Sequence, residues 1–271
     1  MHDPVQETVT VKLALGTGDR KFSATAVVPV GHTNLTQLLP VLQSLDDSFI
    51  SDTVAQLGET GRTISCKAGC AACCRHLVAL SAFEAEALST WIRTLPESRQ
   101  QELARRFQEA LTKVADAGII DRMAKKGWLT EGDAAARIIH DYFYLRIPCP
   151  FLENERCSIY PIRPLICREH LVTSPPDHCA DPAKEQIASV YFPANLSGIL
   201  YAIGAEMERG DSAGWIPLVS LFAWMESGAR PGEAISGPGP ELLNELVKRS
   251  TRLGNRSMSM EVLPNASAAT S

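Results

Sequence analysis

The densest chemistry in the chain lies in the run Cys66-Lys-Ala-Gly-Cys70-Ala-Ala-Cys73-Cys74, four thiols within nine residues. Four more come later at Cys149, Cys157, Cys167 and Cys179, and the rest of the 271 residues contain no cysteine. Thiolates are soft donors that select zinc and iron–sulfur clusters over harder ions. The spacing Cys66-x3-Cys70-x2-Cys73 suits one ion, because two to four intervening residues let a chain wrap a zinc at sulfur distances of about 2.3 Å. Gly69 stands just before Cys70, where a positive φ turns the chain sharply. A turn of that kind aims backbone N–H groups at sulfur. A helix continuing from Cys73 would lower the thiol pKa values through its N-terminal dipole.

The second group is different. Its gaps of seven, nine and eleven residues are too long for a local knuckle, so the fold must bring those sulfurs together. Pro148 and Pro150 stiffen the backbone on both sides of Cys149, and a proline after a ligating cysteine also occurs in bacterial ferredoxin runs. Cys73 and Cys74 are adjacent and point in different directions, so one of them can serve a second ion, bridge two, or stay free. His76, His170 and His178 are alternative ligands close to cysteines, although a place behind the ligands or at the surface is the plainer reading for each. Tyr142, Phe143, Tyr144, Phe151 and Tyr160 could exclude solvent from the site or simply be core. Lys67, Arg75, Arg156, Arg163 and Arg168 could offset thiolate charge or be ordinary surface cations.

Disulfides are the competing explanation for eight cysteines. The first 30 residues lack a basic stretch leading into an apolar one, and no run approaches 18 apolar residues. A cytoplasmic location is expected, where thiols stay reduced. The formal net charge of −5 and the lack of a Lys/Arg tract speak against nucleic acid as a partner, and nothing points to a membrane.

The elements that must hold these thiols can be read from periodicity. Residues 8–15 and 22–28 alternate around Gly16-Thr-Gly-Asp19, which predicts an N-terminal β-hairpin that must pack on something or recruit another strand. Helical spacing covers 34–57, with Pro40 in a first turn or at a break. Ser81-Ala-Phe-Glu84 is a capping-box pattern opening a helix to about Leu95. Further helices are expected at 97–116, 131–144, 184–190, 194–208, 214–228 and 239–249. Glu84 and Glu86 read as cap and surface groups. Residues 145–182 hold seven prolines and four cysteines with little periodicity, a segment too long for an idle loop. The fold class is mainly α (α+β): a helical body with an N-terminal β-hairpin and an irregular cysteine-rich metal-binding segment. The expected divisions are 1–58 (hairpin and helix), 59–182 (cysteine cluster), 183–253 (C-terminal helices packing on it) and 254–271 (disordered tail).

The strings SCKAGCAACC and CPFLENERCSIYPIRPLICREHLVTSPPDHC resemble the YkgJ-type cysteine-cluster family, also called the CxxCxxCC or zinc- or iron-chelating domain. The resemblance covers roughly residues 60–182. It implies chelation by Cys66, Cys70, Cys73, Cys74, Cys149, Cys157, Cys167 and Cys179, with an iron–sulfur cluster or Zn2+ as the cofactor. It implies no substrate. The alternatives are an iron–sulfur-dependent enzyme of redox or methyltransferase type, and a structural zinc module. The 66-70-73 spacing also occurs in radical-SAM enzymes, but no series of βα units comes after it. No P-loop, GxGxxG, HExxH or GxSxG pattern competes.

Overall fold

The structure is a computed structural model that describes residues 7–17, 20–67, 69–125, 128, 133–181, 185–192, 195–208, 213–252 and 257–263. It is α+β and mainly helical, with small sheets.

The expected hairpin forms from β1 (Thr8–Thr17) and β2 (Arg20–Pro29), in a register that sets Val9 opposite Val28 and Leu15 opposite Phe22. Alternation puts Val11, Leu13 and Leu15 on the buried face with Phe22, Ala24, Ala26 and Val28. Gly18 and Asp19 of the expected turn lie outside the described residues. A short β3 (His32–Asn34) leads to α1 (Leu39–Glu59), which starts later than the spacing suggested. Pro40 sits in its first turn, where a missing N–H costs nothing. Gly61, at φ 76°, lies just past its C-terminus in the left-handed conformation that suits glycine.

After the first cysteine group come β4 (Ala79–Ser81) and α2 (Ala82–Thr94), opened by a complete capping box between Ser81 and Glu84. Next are α3 (Glu97–Asp116), α4 (Ile119–Met123) and α5 (Ala134–Tyr144). The irregular segment holds only short pieces: β5 (Leu152–Glu153) paired with β6 (Arg156–Cys157), α6 (Leu165–Glu169) and α7 (Pro176–Ala180). The chain continues as α8 (Leu196–Met207), β7 (Trp215–Pro217), α9 (Leu221–Glu226), β8 (Ser236–Pro238), α10 (Gly239–Arg252) and β9 (Ser257–Val262).

Three sequence expectations fail. The helix expected over 184–190 is absent among the described residues 185–190. The chain there is irregular, and Ser189 forms a bridge with Val172. The helix expected from 214 begins only at Leu221, because Trp215–Pro217 pairs with β4 and Pro217 interrupts helical bonding. The expected disordered tail contains β9, which adds to the hairpin beside β1 in the order β2-β1-β9. The alternating Met258 and Met260 pack on the core, which is what a hairpin seeking a third strand requires. Residues 264–271 lie outside the described ones.

The apolar interior has three parts. The first joins the sheet to α1, α8 and α10, and takes in Phe83 and Leu165. The second lies between α2, α3 and α9 and includes Phe151 and Ile159 of the irregular segment. The third joins the end of α3 to α4 and α5. Among the described residues no helix is long and apolar enough to cross a membrane.

Candidate metal centre

The first cysteine group forms a tight knuckle. Gly69 has φ 84°, and Cys70 N–H donates to Lys67 O at 2.9 Å. The anticipated helix from Cys73 does not form; the chain instead makes a four-residue 3-10 turn, Ala72–Arg75. That turn is too short for an N-terminal site, so other groups must set the thiol chemistry. Ala71 is the only buried residue among the described ones from 62 to 76. The knuckle therefore owes little of its shape to a core.

The second group reaches the knuckle by identifiable bonds. Cys149 N–H donates to Cys74 O at 2.7 Å. The hairpin β5–β6 then folds back, with Cys157 opposite Leu152 and Leu152 N–H bonded to Cys149 O at 2.8 Å. Arg106 on α3 holds that hairpin by donating to Leu152 O and Glu153, and Arg99 adds an ion pair to Glu153. Arg75 Nη2 meets Glu155 at 2.8 Å, an exposed pair worth little by itself. Cys179 arrives on α7, which packs against the 3-10 turn, and its carbonyl lies 2.9 Å from His76 Nε2.

Cys167 is placed by a buried carboxylate. Glu84, read from sequence as a cap and surface group, caps α2 but is 2% exposed. Its second role explains the burial. Leu165 N–H, at the start of α6, donates to Glu84 Oε1 at 2.7 Å while Ser81 N–H and Oγ donate to Oε2. One side chain thus fastens the start of α2 to the start of the helix carrying Cys167. Glu86 is also buried and accepts from Gly232 N–H and Thr36 Oγ1. Sequence spacing held no sign of Leu165 or Gly232 as partners, which lie about 80 and 146 residues away.

All eight cysteines are free thiols; Cys179 is buried and the others are half-buried. Burial pushes the Cys149 thiol up to about 12 and Cys179 up to about 11, with neighbouring thiols adding to both. Cys167 rises well above its ordinary value for the same reasons. Cys73 moves the other way, chiefly because the Cys74 thiol hydrogen-bonds to it. Backbone N–H groups of Phe151 and Ile159 bond to the sulfurs of Cys149 and Cys157, each two residues before its donor. Such bonds favour thiolate over thiol. Arg163 acts on Cys66, Cys73 and Cys157, and Arg106 on Cys149. Sequence reading named Arg163 and missed Arg106, which stands 43 residues before Cys149.

Among the described residues no three His, Cys, Asp or Glu side chains stand in a finished metal-holding arrangement. Of the histidines, His76 faces Cys179 O and the Phe143 ring, and His178 Nδ1 bonds with Gln186 O at 2.8 Å. His170 Nε2 is buried without a partner. Burial lowers the pKa of both His76 and His170. Tyr142, Phe143 and Phe151 are buried, whereas Tyr144 and Tyr160 are exposed.

Residues 65–187 match the CxxCxxCC family, described as "Putative zinc- or iron-chelating domain". The matched span holds every cysteine of the chain. It also agrees with the resemblance carried by the two cysteine strings. No curated protein and no solved structure matches the chain.

A further buried polar group lies on α1. Asp46 is 1% exposed and its Oδ2 has no hydrogen-bond partner. Burial pushes its carboxyl up to about 9; Glu169 and Asp47 add to the rise, and Arg168 and Arg163 oppose it. A carboxyl whose folded pKa lies above its unfolded value stabilises the fold fully only below the unfolded value. That contribution is lost as pH rises from about 4 towards 9. Asp46→Asn is therefore expected to flatten the decline of stability across this window and to be more stable than wild type at its upper end. Urea denaturation at a series of pH values checks this, and parallel curves for variant and wild type would contradict it.

Proposed function

We propose that this protein is a thiolate metal-binding protein that holds zinc or an iron–sulfur cluster through Cys66, Cys70, Cys73, Cys74, Cys149, Cys157, Cys167 and Cys179. The observation that carries the reading is the convergence of two cysteine groups, 75 residues apart from Cys74 to Cys149, around one 3-10 turn. Buried free thiols without metal are costly neighbours once ionised, because each raises the pKa of the next. A bound cation offsets that cost. Sulfur donors fit zinc and iron–sulfur clusters alike.

When bound, the metal supplies cross-links between the knuckle and the irregular segment. The chain's own groups do the rest. Phe151 and Ile159 N–H hold two sulfurs in place, Glu84 fixes the helix of Cys167, and the Tyr142, Phe143 and Phe151 rings exclude water. Reduced thiols are required throughout, which suits the cytoplasm.

Anaerobic purification, then metal analysis and a visible spectrum, tests the reading. Stoichiometric zinc in a colourless protein supports a zinc site. Iron with sulfide and visible charge-transfer absorption supports a cluster. Purified and reconstituted protein that holds neither defeats the proposal.

A further inference from the structure

We propose that the open edge of β2 is a docking strand, which takes up an extended, Lys- or Arg-bearing segment of a partner protein in the groove between β2 and α1. No cysteine lines that groove, and its occupancy does not depend on metal binding.

The sheet register fixes which backbone groups are spare. Val30 N–H donates to Glu7 O at 2.8 Å, so the hydrogen-bonded pairs of β1 and β2 are Val9–Val28, Val11–Ala26, Leu13–Ala24 and Leu15–Phe22. The alternate residues of β1 serve β9 instead, as in the bond from Leu263 N–H to Thr10 O at 2.9 Å. Lys21, Ser23, Thr25 and Val27 therefore turn their N–H and C=O groups away from β1, and no strand lies beyond β2 among the described residues. Proteins usually break such an edge with a bulge or cover it. Here the pairing is continuous from Thr8 to Thr17, and Val27 is 59% exposed. The edge is closed only towards Pro29, where Gly239 at the start of α10 lies against Pro29 O.

Beside the open part runs a groove of about 820 Å³, with residues 23–25 on one wall and α1 on the other. α1 turns Leu39, Leu42, Leu45 and Phe49 into the core, and its neighbouring stripe, Gln43, Ser44, Asp47, Ser48 and Ser51, faces the groove. An edge strand beside a helix offers an added strand two things: backbone bonds from the edge, and contacts for alternate side chains from the helix. Residues 21–27 present about 20 Å of edge at the rise of a strand. The charge of the walls selects the occupant. Arg168, the one cation in the lining, is 4% exposed and bonded to both Asp47 oxygens. Asp47 stays more than half exposed, and Asp52, also in the lining, makes no ion pair with a described residue. Carboxylates and hydroxyls without a free cation favour a segment with cationic side chains.

A displayed library of random octapeptides, panned against the purified full-length protein, supplies the probe. The enriched set is expected to carry Lys or Arg at every second position. A resynthesised member should slow amide exchange at Ser23, Thr25 and Val27. Thr25→Pro removes an N–H that no bond within the fold uses, so the sheet should persist while affinity falls about tenfold or more. Asp52→Asn should weaken binding several-fold. Two N-methylated forms of the peptide, one for each alternate set of amides, keep the test open even if a variant fails to fold: one form should lose binding to wild type and the other keep it. No enriched peptide, an acidic set, equal binding by Thr25→Pro, or equal binding of the two methylated forms overturns the proposal. So does a dimer of the free protein that Thr25→Pro dissociates, which would give the edge to a second copy.

Discussion

Stripping the metal from the purified protein is expected to release the knuckle and α7 while leaving α1, α2 and α3 folded. The two regions differ in what else holds them. From 62 to 76 the described chain buries only Ala71, and α7 buries only Cys179. Neither has a core of its own. The middle of the irregular segment is better anchored, since Phe151 and Ile159 sit in the second part of the core and Leu165 in the first. Each such side chain contributes about 1.5–3 kcal/mol when fully buried. Structural zinc sites in small peptides carry roughly 10–16 kcal/mol of apparent binding free energy, comparable with the whole stability of an ordinary domain. A knuckle that depends on its metal should therefore open locally when the metal is lost. Amide exchange before and after chelation reads this directly. Protection should vanish around 66–76 and 176–181 and persist in α1–α3 and at Phe151 and Leu165. Uniform loss across the chain, or no loss at the knuckle, would contradict it.

The second large effect is expected from Arg168→Met. Arg168 is 4% exposed, and its guanidinium reaches three places. Nη1 bonds to both Asp47 oxygens at 2.8 Å, Nε to Arg163 O at 3.1 Å, and Nη2 to Pro161 O. It thereby closes the loop between Tyr160 and Leu165 and ties it to α1. Sequence reading offered it as a counter-charge for thiolates or an ordinary surface cation, but its bonded partner is Asp47, while Arg163 and Arg106 act on the thiols. Each hydrogen bond to a charged group contributes about 1.5–3 kcal/mol. Asp47 is more than half exposed and can return to water, which favours the lower end. The carbonyls of Pro161 and Arg163 lose their donor. A loss of about 3 kcal/mol corresponds to a fall in Tm of roughly 6–12 °C for a chain of this size. Thermal unfolding at neutral pH measures it, and a Tm unchanged from wild type would rule out this role for Arg168.

Periodicity served best where one residue's environment depends on near neighbours. The helix 97–116 matches α3, and the Ser81–Glu84 box forms as read, because caps and amphipathic stripes are local. It failed where distant chain took over. Residues from Trp215 carry a helical apolar pattern, yet they pair with β4 before any helix starts. The tail residues Ser257–Val262 look merely small and polar until β1 offers an open edge. Glu84 looks like a solvated cap until Leu165 N–H is seen to need an acceptor.

The sequence by itself determined a cysteine-rich chain on a mainly helical body, with all eight cysteines inside the span that matches the chelating-domain family. Residue type and short spacing suffice for that, since they decide donor softness and what a knuckle can wrap. Only the tertiary structure decided that Cys149 N–H bonds to Cys74 O, that α7 with Cys179 packs on the 3-10 turn, and that buried carboxylates hold the elements in place. Those relations depend on bonds between residues tens of positions apart, and no local pattern encodes them.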